Sequence, residues 1–132
     1  RYVEALNMAA QAAQETEQPE LSLEHLDRSV SLCRELMSEN RLEDEMSAVC
    51  ALVSRGDSHL ELDRKEDAIR DYEAAIAILE VLYEFNRADA ADLLIQLHRD
   101  TAEILMGFSE TEEAETHLLR ALQINVGGRE TD

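Results

Sequence analysis

The chain has 132 residues, 45% of them hydrophobic and 4% aromatic, with one Pro and four Gly: one domain's worth of long helices, large enough to bury a core. Its 30 acidic residues against 12 basic ones give a formal net charge of −18, which disfavours nucleic acids and anionic membranes as partners and favours basic ones. No apolar run approaches the ~20 residues of a membrane span and no secretory signal is visible, so a cytoplasmic protein is expected; the start at Arg1 rather than Met leaves open a longer parent protein.

Six helices are expected, in order. The first covers about 1–15, with Tyr2, Val3, Leu6, Ala9, Ala10 and Ala13 on one broad face. Pro19 fits the first turn of the second, where a missing N–H costs nothing, and the stripe Leu26, Val30, Cys33, Leu36, Met37 carries it to about Glu39. Asn40 is expected to cap the third, with Glu43 in its first turn, and Met46, Val49, Leu52, Val53 and Leu60 turned inward. Asp63 is expected to cap the fourth, which runs to Phe85 with Ile69, Tyr72, Ala75, Ile76, Leu79 and Leu82 buried. Asn86 opens the fifth, to about Met106, and Gly107-Phe108 makes a turn. Ser109 with Glu112 reads as the capping box of the sixth, which Gly127-Gly128 should stop near Val126, leaving 129–132 disordered.

These helices repeat. A spacing of 46 residues relates Ala10, Gly56 and Ala102; Val3, Val49 and Ile95; Ser22, Ala68 and Ala114; Leu26, Tyr72 and Leu118; Ser29, Ala75 and Ala121; and Val30, Ile76 and Leu122. A small residue inside a helix lets its neighbour approach, and the large apolar residue four positions later fills the next layer of the same face. Hairpins of this kind bury their stripes only by stacking.

The pattern Gly56, Ala68, Tyr72, Ala75, repeated as Ala102, Ala114, Leu118, Ala121, resembles the tetratricopeptide repeat (TPR). The usual TPR is about 34 residues; each copy here is longer, by about six residues or ~1.7 turns per helix, so the chain looks closer to the long-helix variants. Copy one departs most, with Ser22, Ser29 and Gln14 where later copies have Ala68, Ala75 and Leu60. The resemblance implies an all-α, right-handed α-solenoid of three antiparallel helical hairpins, 1–39, 40–85 and 86–128, forming a single domain. An ordinary six-helix bundle is the rival architecture.

Motifs for chemistry are missing. No Gly-rich phosphate loop, no paired Cys at zinc spacing and no Glu-x-x-His occurs, so no enzyme activity, cofactor or metal is expected. Glu113 and His117 share a face at i, i+4, which reads as a solvated face rather than a metal site; His98, at the register of Leu6 and Leu52, reads as a core or groove histidine. Cys33 and Cys50 read as buried free thiols.

In TPR proteins the first helices of the hairpins line a concave face. Carried over, this gives Asn7, Gln11 and Glu15 from copy one, Val53, Asp57 and Glu61 from copy two, and Arg99 and Glu103 from copy three. The row is polar and net acidic. It lacks the clamp lysines of the chaperone-binding class, so the ligand expected is a basic or neutral peptide or partner protein. The rival functions are a homo-oligomerisation or assembly domain, with dimerisation through the C-terminal helix and its Leu118, Leu119, Leu122 and Ile124, and a regulatory sensor domain of a larger protein.

Overall fold

The computed structural model describes residues 2–16, 18–38, 45–85 and 87–130. Among them six α-helices follow one another: α1 (Tyr2–Glu15), α2 (Pro19–Ser38), α3 (Glu45–Glu61), α4 (Lys65–Phe85), α5 (Arg87–Gly107) and α6 (Thr111–Glu130). Ala, Leu, Glu and Arg fill them, all strong helix formers. No strand occurs among the described residues, so the fold is all-α. Asn40 and Glu43, the expected start of the third helix, lie outside the described residues, as does Asn86.

The three hairpin turns are built alike. The amide of Gln18 donates to the carbonyl of Ala13, that of Arg64 to His59, and that of Glu110 to Leu105, at 2.8, 2.8 and 3.0 Å. These six positions are related by the same 46-residue spacing. Four residues past each turn, the amides of Ser22, Ala68 and Ala114 close the first bond of the following helix, onto the carbonyls of Gln18, Arg64 and Glu110.

This geometry corrects the expected caps. Asp63 and Ser109 have φ of 58° and 63°, in the left-handed region, and their amides bond back to Leu60 and Met106. They end the preceding helix in a Schellman arrangement rather than starting the next one. Arg64 and Glu110 take the N-cap position instead. In each three-residue link the stop comes first, because it satisfies the last carbonyls of the preceding helix, and the cap falls to the residue after it. Gly107 belongs to α5, so the turn is Phe108-Ser109. At the other end of α6 the helix continues through Gly127 and Gly128 to Glu130, past the expected stop and into the expected disordered tail; glycine permits a left-handed stop but does not force one.

The chain divides into two compact units within α4, Arg1–Ala75 and Ile76–Asp132. In the first, α1 packs on α2, and both pack on α3. Its core comprises Leu6, Ala10 and Ala13; Leu23, Leu26, Val30 and Cys33; Ala48, Val49, Ala51 and Leu52; and Ala68, Tyr72 and Ala75. Each fully buried Leu or Val contributes about 1.5–3 kcal/mol. Small residues bring the helices close enough for polar bridges: the hydroxyls of Ser22 and Ser58, both fully buried, meet at 3.2 Å. In the second unit α5 packs on α6 around Leu79, Leu94, Leu97, Leu105, Ala121 and Ile124.

The repeat positions predict burial except in copy three. The small residues Ala10, Gly56 and Ala102 are buried, as are Ser22, Ala68 and Ala114, and Ser29, Ala75 and Ala121. The large ones are buried at Leu26, Tyr72, Val30 and Ile76, whereas Leu118 and Leu122 are 43% and 57% exposed, with Leu119 exposed beside them. Cys33 is buried and burial pushes its thiol up; Cys50 is exposed, against expectation, between the buried Val49 and Ala51. Neither is in a disulfide. No helix among the described residues is long and apolar enough to cross a membrane.

Candidate functional site

The six groove residues fall on three helices. Asn7 and Gln11 are one turn apart on α1, Asp57 and Glu61 one turn apart on α3, and Arg99 and Glu103 one turn apart on α5. Gln11, Asp57, Glu61, Arg99 and Glu103 are exposed.

Asn7 is half-buried and braced. It accepts the Ser29 hydroxyl at 2.6 Å and donates to the carbonyl of Ser47 at 3.3 Å, tying α1 to α2 and α3. A side-chain amide so engaged holds the framework. Asp57 accepts the phenol of Tyr72, which fixes one carboxylate oxygen beside the turn into α4.

Arg99 and Glu103 are brought together. They line an open cleft of about 340 Å³ with Gln96, Asp100, Ala102, Met106 and Leu118. Gln96 donates to Asp100 at 2.8 Å. The cleft thus carries one cation, two carboxylates and an apolar wall of Met106 and Leu118, a lining that suits a segment with a basic group and an apolar side chain.

Two polar clusters escape a reading by groove position. In the first unit Arg55 of α3 makes a two-pronged bond to Asp71 of α4, at 2.8 and 2.6 Å, and reaches Asp27 of α2 at 3.2 Å. His59 Nε2 lies 3.5 Å from Asp71. Asp71 is nearly fully buried, and its hydrogen bonds, ahead of the opposing effect of burial, raise the Arg55 guanidinium further above its ordinary range.

In the second unit Glu80 of α4 accepts two bonds from Arg120 of α6, at 2.9 and 2.6 Å, and lies 3.2 Å from Nε2 of His98 on α5. His98 Nδ1 lies 2.8 Å from Nδ1 of His117 on α6, and the guanidinium of Arg120 sits 5.7 Å from the Tyr83 ring centroid. Bonds from Arg120 hold the Glu80 carboxyl below its ordinary range, with burial opposing them and His98 assisting. Burial holds the His98 imidazole below its ordinary value. His98 is therefore a core histidine at 5% exposure, and His117 is half-buried against it rather than on a solvated face. Its sequence partner Glu113 is exposed, and no cluster among the described residues could hold a metal ion.

One signal for these clusters exists at the repeat register. Asp71 and His117 are equivalent positions, and each anchors its cluster from the second helix of its hairpin. Their partners Arg55 and His98 are not equivalent to each other, so spacing alone does not pair them.

Comparison with known proteins agrees with the hairpin reading: residues 51–78, from α3 through the turn into α4, match the family model of the tetratricopeptide repeat. No curated protein and no solved structure matches the chain.

Proposed function

We propose that this chain, a tetratricopeptide-repeat protein over residues 51–78, is a protein-interaction module that takes a basic or neutral peptide segment along the exposed faces of its first helices. The family's general role is protein–protein interaction without catalysis. The observation that carries the finer reading is the cleft on α5, where Arg99 and Glu103 meet an apolar wall. Asp57 and Glu61 offer a second acidic pair one turn apart on α3, and the charge of −18 steers basic partners toward such positions. Nucleic acids and anionic membranes are poor ligands for the same reason. Glu61, Asp57, Gln11, Arg99 and Glu103 are the residues assigned to contact, with Asn7 supporting the α1 face from behind. The domain assignment is one domain of three hairpins; in its favour, α4 runs unbroken through the division between the two units.

Peptide titration tests this. Glu61→Lys with Glu103→Lys reverses two exposed charges and leaves Asp57, which Tyr72 needs, in place. Binding of a fluorescent Lys/Arg-rich peptide should weaken by about tenfold or more, equivalent to ~1.4 kcal/mol, with helicity unchanged. Equal binding by the double variant would remove the acidic row from the function.

A second reading has its own support. Leu118, Leu119 and Leu122 are exposed together on α6, an apolar face of the kind that assembles. A mass in light scattering that rises with concentration, and stays monomeric in Leu119→Lys with Leu122→Lys, would favour dimerisation through α6.

A further inference from the structure

The first unit shows how a following helix seats on a hairpin. There α3 packs on α1 and α2, and three polar contacts mark its register. The Ser58 hydroxyl meets that of Ser22 at 3.2 Å, Arg55 reaches Asp27 at 3.2 Å, and the Ser47 carbonyl accepts from the Asn7 amide at 3.3 Å. In this hairpin Leu26 and Val30 are buried. Two repeats on, the same positions form a face of α5 and α6. Leu118 stands for Leu26, Leu122 for Val30, Leu119 for Asp27, Ala114 for Ser22 and Arg99 for Asn7. Here Leu118, Leu119 and Leu122 are exposed, and Leu118 and Arg99 border the open cleft.

The complement of that face is on α1. One repeat before Ala51, Arg55 and Ser58 stand Ala5, Ala9 and Ala12, a single stripe at i, i+4 and i+7. Ala51 and Ser58 are fully buried on α3, whereas Ala5 and Ala12 are exposed, with Ala9 half-buried between them. Residue types change together on the two surfaces. Within the chain, a hydroxyl meets a hydroxyl and a guanidinium meets a carboxylate. The corresponding pairs between two chains are Ala12 with Ala114 and Ala9 with Leu119, apolar against apolar in both cases. At these pairs neither surface brings a polar group that the other would leave buried without a partner. Arg99, in the place of Asn7, keeps a donor for a backbone carbonyl of the arriving helix.

We propose that the chain associates head to tail with a second copy of itself: α1 of one copy seats on the α5–α6 face of the next, in the place that α3 takes on α1 and α2. The contact continues the packing of α3 on the first hairpin and covers Leu118, Leu119 and Leu122. It is heterologous, so each added copy offers a fresh face and growth stops only if the assembly closes on itself. It uses the same leucines as the α6 dimer but gives them a different partner, and it does not depend on peptide capture. The charge of −18 opposes it. Salt relieves that repulsion, the screening length falling from about 30 Å at about 0.01 M to about 8 Å at about 0.15 M. Because Arg99 and Leu118 are part of the contact, stacking also closes the cleft to a peptide.

Sedimentation equilibrium of the full chain, from about 1 µM to about 1 mM at low and at physiological salt, tests this. The mean mass should rise past two copies and rise further with salt, whereas capture of a basic peptide weakens with salt. Leu119→Lys with Leu122→Lys blocks the α6 face, and Ala5→Lys with Ala12→Lys blocks α1; all four positions are exposed, and the two variants change the net charge equally. Each variant alone should stay monomeric with helicity unchanged. Their one-to-one mixture should form a dimer and nothing larger, since one intact α1 meets one intact α6 face. A wild type that stays monomeric throughout, undiminished association of the α1 variant, or a mixture that stays monomeric would each overturn head-to-tail stacking. Peptide titration on the α1 variant, whose cleft no second copy covers, reads the peptide proposal separately, so failure of one is not mistaken for failure of the other.

Discussion

The ring of Tyr72 fills the space that a side chain at Gly56 would need: a Cβ there would lie 2.6 Å from Cε1 and 2.9 Å from Cδ1. The ring has nowhere to retreat, being 2% exposed with its hydroxyl held by Asp57. Overpacking costs about 1–3 kcal/mol, while helix propensity returns roughly 1 kcal/mol to alanine, so Gly56→Ala should lose stability in urea unfolding. Adding Tyr72→Leu recreates the pairing of Ala10 with Leu26 in copy one and should recover most of the loss. A double variant no better than the sum of the two single ones would mean that the clash is not the cause.

The turn into α6 places Ser109 at a φ of 63° without glycine's freedom. Ser109→Gly removes a strain of about 1 kcal/mol and should raise the thermal midpoint. Asp63→Gly should gain less, because aspartate tolerates the left-handed region better than most residues. A midpoint lowered in both variants would show that chain entropy outweighs the strain.

Asp71 is a buried carboxylate that relies on one guanidinium. Arg55→Met leaves it desolvated, with only His59 nearby, and should cost about 3 kcal/mol in chemical denaturation. Pairing it with Asp71→Leu should restore most of that, since an apolar pair of similar volume replaces a buried ion pair at little cost. The comparison separates the cost of an orphaned charge from the worth of the bridge.

Arg120 sets the acid limit of the second unit. Its bonds hold Glu80 below 4.5, so their stabilisation is present above that value and is lost as pH falls through the lower folded value. Arg120→Gln should move the Glu80 carboxyl resonance back up toward 4.5 and lower stability at about pH 6 while leaving it nearly unchanged at about pH 2. An unmoved Glu80 titration would assign the shift to His98 instead.

Leu26 and Leu118 occupy one repeat position with opposite surroundings, fully buried and 43% exposed. Leu26→Ala should cost about 2–5 kcal/mol and Leu118→Ala within about 0.5 kcal/mol. Similar losses at the two sites would mean that something covers α6 in solution.

The helices and their inward faces were legible because period and small-residue spacing are local properties of the chain. Gly56, Ala68 and Tyr72 state them directly, and the matching family model covers the same three. The turns were less so: Asp63 and Ser109 are residue types that serve equally as a start signal or as a left-handed stop, and only the bond from Arg64 to His59 decides between them. Among the groove residues, nothing local announced that Asn7 would be spent bracing Ser29 and Ser47, since its partners stand 22 and 40 residues away. The His98–His117 contact was hidden for the same reason, and because the register that makes His117 equivalent to Asp71 places an aspartate and a histidine in one role.

The matched turns have a bearing on which length changes the chain can absorb. One residue added between Ala68 and Asp71 would rotate everything after it by about 100°, taking the tyrosine off Gly56 and Asp71 off Arg55 in a single step. A deletion there does the same in the opposite sense. Insertions inside a hairpin should therefore be selected against far more strongly than substitutions, and sequence drift in this protein should proceed by exchange of residues at constant length, with gain or loss of chain arriving as whole hairpins.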